Sequence, residues 1–186
     1  MQALLVSTLV VAVAEIGDKT QLLSLILAAK YRKPLPIVLG ILVATLANHA
    51  LAGLFGSVVA GWFEPQTLKW IVVGSFLAIA AWTLVPDRLD EDGEVVTLHS
   101  HGVFVASLVA FFLAEMGDKT QIATVVLAAE YAPLWQVVVG TTLGMLLANL
   151  PVVWLGARFA KKLPLQAARL AAAVLFAALA VWILLR

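Results

Sequence analysis

Apolar residues fill this chain in long runs rather than in the alternating or three-and-four spacing of a water-facing domain. A spanning helix needs about 20 mostly apolar residues. Six stretches meet that need, at about 3–29, 35–62, 67–85, 103–129, 134–158 and 165–185. The breaks between them are polar or carry proline, which removes a backbone donor and restricts the residue before it. Lys30-Tyr31-Arg32-Lys33-Pro34 closes the first run, Phe63-Glu64-Pro65 the second, Pro86 the third, Glu130 and Pro133 the fourth, and Lys161, Lys162 and Pro164 the fifth. Pro151 lies inside the fifth run and marks a possible kink. The pattern predicts an all-α integral membrane protein with six transmembrane helices, forming one transmembrane domain over 1–186.

Two of the runs contain charge where charge does not belong. Glu15-Ile16-Gly17-Asp18-Lys19-Thr20-Gln21 interrupts the first, and Glu115-Met116-Gly117-Asp118-Lys119-Thr120-Gln121 interrupts the fourth. The offset between the copies is 100 residues, and it extends well beyond the motif. Leu27-Ala28-Ala29 matches Leu127-Ala128-Ala129, Tyr31 matches Tyr131, Gly40 matches Gly140, Gly56 matches Gly156, Trp82 matches Trp182, and His49 falls opposite Asn149. The chain therefore divides into repeat 1 (1–86), an acidic linker (87–102) and repeat 2 (103–186). Three spans per repeat turn the second unit over relative to the first. The result is two inverted-topology three-helix repeats, an arrangement that places transporter sites near the bilayer midplane.

Composition agrees with this picture. The chain is 63% hydrophobic and 12% charged, and its mean hydropathy is +1.03, whereas soluble domains carry about 25% charged residues. A net charge of +1, with no basic patch interleaved with aromatics, gives no basis for nucleic-acid binding. The absence of cysteine rules out disulfides and thiolate metal sites. Ala12-Val13-Ala14 resembles a signal-peptide cleavage site, but the start lacks a basic segment and the same pattern recurs internally, so cleavage is not expected.

The charge bias gives an orientation. Lys30, Arg32, Lys33, Arg88, Arg158, Lys161, Lys162 and Arg169 fall on one side, and Lys69 and Arg186 on the other. Both termini are thus expected outside the cytoplasm, with the linker inside. The linker segment Asp87 to Glu94 is acidic but is not an EF-hand, because Arg88 and His99 occupy the first and last ligand positions. It reads as a solvated connection, or as a lure for cations helped by His99 and His101. Trp62, Trp70 and Trp135 read as interface anchors, while Trp82, Trp154 and Trp182 suit either the interface or packing between helices.

Ionisable residues at membrane depth are costly and mark ion or substrate paths. On a helix, Glu15 and Asp18 share a face and Glu15 can pair with Lys19; Glu115, Asp118 and Lys119 repeat this. If the copies face each other, the four carboxylates of Glu15, Asp18, Glu115 and Asp118 converge. Carboxylates suit hard divalent cations such as Ca²⁺, Mg²⁺ and Mn²⁺. Gln21, Gln121, Thr20, Thr120, Asn48, His49 and Asn149 are possible secondary ligands or path residues. His49 tilts the set toward Mn²⁺ over Ca²⁺. Ser7, Ser24, Ser107 and Thr124 are expected to hydrogen-bond locally or across helices. Four acids held close repel one another, so the same groups can carry either protons or metal, which is the chemistry of a proton-coupled exchanger. Lys19 and Lys119 would be the motif's ion-pair partners. Gly17 and Gly117 permit close helix approach or a break. The plainer alternative is that each Glu-Lys pair only locks a helix, but two copies with Asp18 and Asp118 left over argue against it.

The doubled Glu-x-Gly-Asp-(Lys or Arg)-(Thr or Ser) signature resembles that of the Golgi-type calcium/manganese cation exchangers and their bacterial relatives, which include manganese exporters. Both copies match it in full, and the resemblance covers essentially the whole chain. It implies export of Mn²⁺ or Ca²⁺ from the cytoplasm in exchange for protons, from a bacterial inner membrane, with the cation as substrate and no tightly bound cofactor. Against this stand a calcium/proton exchanger, a passive divalent-cation channel and a non-transporting scaffold. An enzyme is the least supported class, since His49 is the only intramembrane histidine and there is no cysteine.

Overall fold

The computed structural model describes residues 1–85, 102–156 and 165–186, all of them helical or in short turns. The helices are α1 (Gln2–Ala14), α2 (Lys19–Tyr31), α3 (Pro34–Ala60), α4 (Pro65–Thr83), α5 (Gly102–Glu115), α6 (Lys119–Glu130), α7 (Leu134–Leu155) and α8 (Leu165–Leu185). Among them α3, α7 and α8 are long and apolar enough to cross a membrane, and α1 and α5 are shorter apolar helices. The linker apart from Gly102, with His99 and His101, lies outside the described residues, as do residues 157–164.

The expected spans at 35–62, 67–85 and 165–185 each correspond to one helix, within two residues at either end. Pro34 and Pro65 sit in the first turns of α3 and α4, where a missing N–H costs nothing. Pro151 is accommodated inside α7. The expected spans at 3–29 and 103–129 are each two helices, broken at the charged motif. At the breaks, Gly17 has φ +83° and Gly117 φ +73°. That left-handed backbone is one that glycine adopts at little cost.

Packing joins the two halves through matching contacts. Gly140 of α7 presses on Leu4 and Ser7 of α1; a β-carbon there would lie 2.6 Å from the Leu4 carbonyl oxygen. Gly40 of α3 presses on Phe104 and Ser107 of α5, with a β-carbon 2.7 Å from that of Ser107. These contacts are 100 residues apart on both sides. Small residues of this kind let helix backbones approach where no hydrophobic effect drives them together. α4 lies along α8, and Phe76 stacks on Phe176 with ring centroids 6.1 Å apart. The long helices α3 and α7 touch each other.

The outward surface carries many large apolar side chains, among them Leu5, Leu51, Phe55, Leu147 and Val174. All six tryptophans are on the outward surface, with Trp82 the most covered of them at 39% exposed. The polar residues run the other way: Ser7, Ser24, Thr45, Asn48, His49, Ser107, Thr124 and Asn149 are buried with the charged motif. An apolar exterior around a polar centre is the inverse of a soluble domain.

Candidate metal centre

The helix breaks create the centre. Glu15 caps the C-terminal end of α1 and Glu115 is the last residue of α5. Asp18 and Asp118 follow at the N-cap positions of α2 and α6, in extended backbone conformation. An aspartate suits a helix N-terminus, where a side-chain oxygen and a negative charge are both favoured. A glutamate at a helix C-terminus is on the unfavourable end of the dipole. The two glutamates therefore add negative charge to carbonyl ends that already favour cations.

Each break is held by the same internal brace. The Gly17 N–H donates to Gln21 Oε1 at 2.9 Å, and the Gly117 N–H donates to Gln121 Oε1 at 2.7 Å. Gln21 also donates to the Ala148 carbonyl of α7 at 2.9 Å, and Asn48 of α3 donates to the Phe112 carbonyl of α5 at 3.0 Å. Ser24 donates to Asn149 Oδ1 at 2.7 Å, while Asn149 Nδ2 donates to the Met145 carbonyl at 3.1 Å. Of the expected secondary ligands, Gln21, Asn48 and Asn149 thus have side-chain groups engaged in holding the broken helices against α3 and α7, while Gln121 braces its own break. Thr124 donates to the Thr120 carbonyl at 2.8 Å.

The ion pairs correct the local pairing read from sequence. Lys19 does not pair with Glu15: its Nζ lies 2.9 Å from Asp118 Oδ1. Lys119 Nζ lies 2.8 Å from Asp18 Oδ1. An i to i+4 pair requires a continuous helix, and the break at Gly17 or Gly117 separates each glutamate from its lysine. Asp18 and Asp118 are consequently not left over. The two motif copies are cross-linked through them.

Glu15, Asp18 and Asp118 each place one carboxylate oxygen within 4.8 Å of the others, and all three are buried. Glu115 is buried as well but stands outside that trio. It is joined to it by Thr120, whose hydroxyl lies 3.4 Å from Glu115 Oε2 and 3.3 Å from Asp118 Oδ2. Thr20 donates to Glu15 Oε2. His49 Nε2 lies 3.7 Å from Glu115 Oε2. Oε1 of Glu15 and Oε1 of Glu115 have no hydrogen-bond partner among the described residues. Buried polar atoms are rarely left so. A set of buried carboxylate oxygens of this kind can hold a hard divalent cation or protons.

The fold and the centre define a helical membrane protein with a charged, carboxylate-rich interior built on two broken helices. A family model described as "Divalent cation/proton antiporter GDT1" matches residues 3–91 and 103–186. The chain belongs to this family of membrane antiporters. A Vibrio cholerae protein with the provisional name of manganese exporter is 58% identical over 177 residues, covering 95% of this chain and 87% of its own. A GDT1-like protein of Synechocystis is 30% identical over 155 residues, covering 73% of this chain and 74% of its own. GDT1-like protein 3 of Oryza sativa subsp. indica is 26% identical over 198 residues, covering 94% and 70%. No solved structure matches the chain.

Proposed function

We propose that the chain exports Mn²⁺ from the cytoplasm in exchange for protons, as a six-span secondary transporter built from two inverted repeats, 1–86 and 103–186. The observation that carries this is the buried trio of Glu15, Asp18 and Asp118, whose two aspartates are cross-paired to Lys119 and Lys19. The family is one of divalent cation/proton antiporters, and the Vibrio relative is named for manganese. Each repeat contributes a discontinuous span, α1 with α2 and α5 with α6, a construction that suits ion sites at the midplane of transporters. The excess of Lys and Arg on one side supports a reading with both termini outside the cytoplasm of a bacterial inner membrane and the acidic linker inside.

In this reading Glu15, Asp18, Glu115 and Asp118 hold the cation in turn or together, and carry protons on the return. An arriving cation competes with the lysines for Asp18 and Asp118. Lys119 and Lys19 then withdraw, so the lysines occupy the place of the cation when it is absent. The nearest alternative is a calcium/proton exchanger, and a passive divalent-cation channel is the other.

The test uses purified protein in proteoliposomes, with internal pH recorded as Mn²⁺ and then Ca²⁺ are added outside. Proton movement driven by Mn²⁺ and lost in Asp118→Asn is the expected outcome. Asp118→Asn removes a carboxylate that holds cation and proton in turn, so exchange should be abolished while the protein still inserts. Metal entry without linked proton movement would favour the channel. Normal exchange in Asp118→Asn would overturn the site assignment.

A further inference from the structure

His49 lies in the middle of α3 with no exposure to solvent. Neither Nδ1 nor Nε2 has a hydrogen-bond partner among the described residues. A neutral imidazole presents one donor and one acceptor, and in a buried position both are normally met. The residue opposite, Asn149, is fully engaged through Ser24 and Met145. The two halves thus differ here: one position is locked by hydrogen bonds and its counterpart is left with open nitrogens.

The open ring points at the charged centre. His49 Nε2 is 3.7 Å from Glu115 Oε2, too long for a hydrogen bond. Two ligands of one small divalent ion, each at about 2.1 Å from it, stand roughly 3 to 4 Å apart. Glu115 Oε1 is also without a hydrogen-bond partner. The pair borders the oxygen-only trio, and Thr120 links Glu115 to Asp118 of that trio.

We infer that His49, with Glu115, is a direct ligand of the transported cation, and that its nitrogen favours first-row transition ions over Ca²⁺. This rests on the reading of the centre as a cation site. Ca²⁺ takes oxygen ligands almost exclusively, whereas imidazole adds affinity for transition ions in the order that places Co²⁺ above Mn²⁺. The trio alone would not separate Mn²⁺ from Ca²⁺ in this way, because it offers only carboxylate oxygens. Selectivity in this chain is therefore assigned to one residue of repeat 1 acting on a carboxylate of repeat 2.

The experiment loads the purified full chain with Mn²⁺ alone and records electron spin-echo envelope modulation, which detects a ¹⁴N nucleus bound to the ion. Expected is ¹⁴N modulation in the unaltered protein and its loss in His49→Asn, which installs the residue found opposite. In proteoliposomes the same variant should let Ca²⁺ compete against Mn²⁺ roughly tenfold better, equivalent to about 1.4 kcal/mol. The chain has three histidines, so if His49→Asn fails to fold, a His99→Ala/His101→Ala variant that retains the modulation assigns it to His49. Saturable Mn²⁺ binding without ¹⁴N modulation overturns the inference and leaves the carboxylate site intact. Unchanged competition in a folded His49→Asn protein overturns it as well. If the unaltered protein binds no Mn²⁺ at all, the reading of the centre falls and takes this inference with it.

Discussion

The two motif copies differ in sequence only at Ile16 and Met116, yet they do not sit in like surroundings. Around the first copy, Leu165 at the start of α8 closes over Gly17, with a β-carbon there meeting Leu165 Cδ2 at 2.7 Å. Around the second, nothing among the described residues lies within 4 Å of the corresponding point on Gly117. The lysines differ too: the Lys19 side chain is 28% exposed and that of Lys119 is 2% exposed. Glu15 belongs to the trio of close carboxylates and Glu115 stands outside it beside His49. Near-identical sequences in unlike surroundings mean that the difference lies in how the halves are docked. On the proposed reading of the chain as an inverted-repeat transporter, that is the expected look of one access state, with the surroundings exchanged in the other.

The comparison can be broken most sharply through the lysines. The chain has no cysteine, so Lys19→Cys and Lys119→Cys can each be read alone with a water-soluble thiol reagent. Thiol reactivity follows exposure, and Lys19→Cys should be labelled roughly tenfold faster or more. Equal rates would mean that both positions meet water alike. Next come the glutamates. Glu15→Gln should weaken equilibrium Mn²⁺ binding about fivefold more than Glu115→Gln, a difference of ~1 kcal/mol, measured by titration in detergent. The reverse order would show that the resting protein holds the opposite arrangement.

The glycines probe the packing rather than the charge. Gly17→Ala and Gly117→Ala both place a β-carbon on left-handed backbone, at a cost of about 1–2 kcal/mol each. Only Gly17→Ala also strikes Leu165, and the overlap should add roughly 1 kcal/mol, seen as a lower unfolding temperature. Adding Leu165→Ala should shrink that extra loss and leave the Gly117→Ala effect unchanged. The smallest effect belongs to Ser24→Ala. It removes the bond to Asn149 and should cost about 1 kcal/mol of stability, with transport changed less than about twofold.

Much of this arrangement was legible in the chain. The proline and charge boundaries placed α3, α4 and α8, and the offset of 100 residues matched Gly40 with Gly140, which take equivalent places against α5 and α1. The motif marked the centre. The partners of Lys19 and Lys119 were not legible, because spacing along a continuous helix gives neighbours only while the helix continues. Once Gly17 turns the chain, Asp18 starts a new helix and its nearest cation comes from the other half. The separation of Glu115 from the trio was hidden for a related reason. It depends on how two broken helices meet, and the doubled motif is nearly symmetric where the assembled centre is not. His49 was visible as an odd residue opposite Asn149, but its open nitrogens depend on the surrounding hydrogen bonds.

The cross-paired motifs also have an electrical consequence. Glu15, Asp18, Glu115 and Asp118 carry four negative charges when ionised and Lys19 and Lys119 two positive ones, so these six groups together hold two negative charges in excess. One divalent cation cancels that excess, and so do two protons. An exchange of one for two would therefore carry no net charge through the bilayer, and the membrane voltage, worth about 2.3 kcal/mol per charge per 100 mV, would neither drive nor oppose it. Transport on that ratio would run on the chemical gradients of metal and acid alone, indifferent to whether the voltage across the bilayer were high or collapsed.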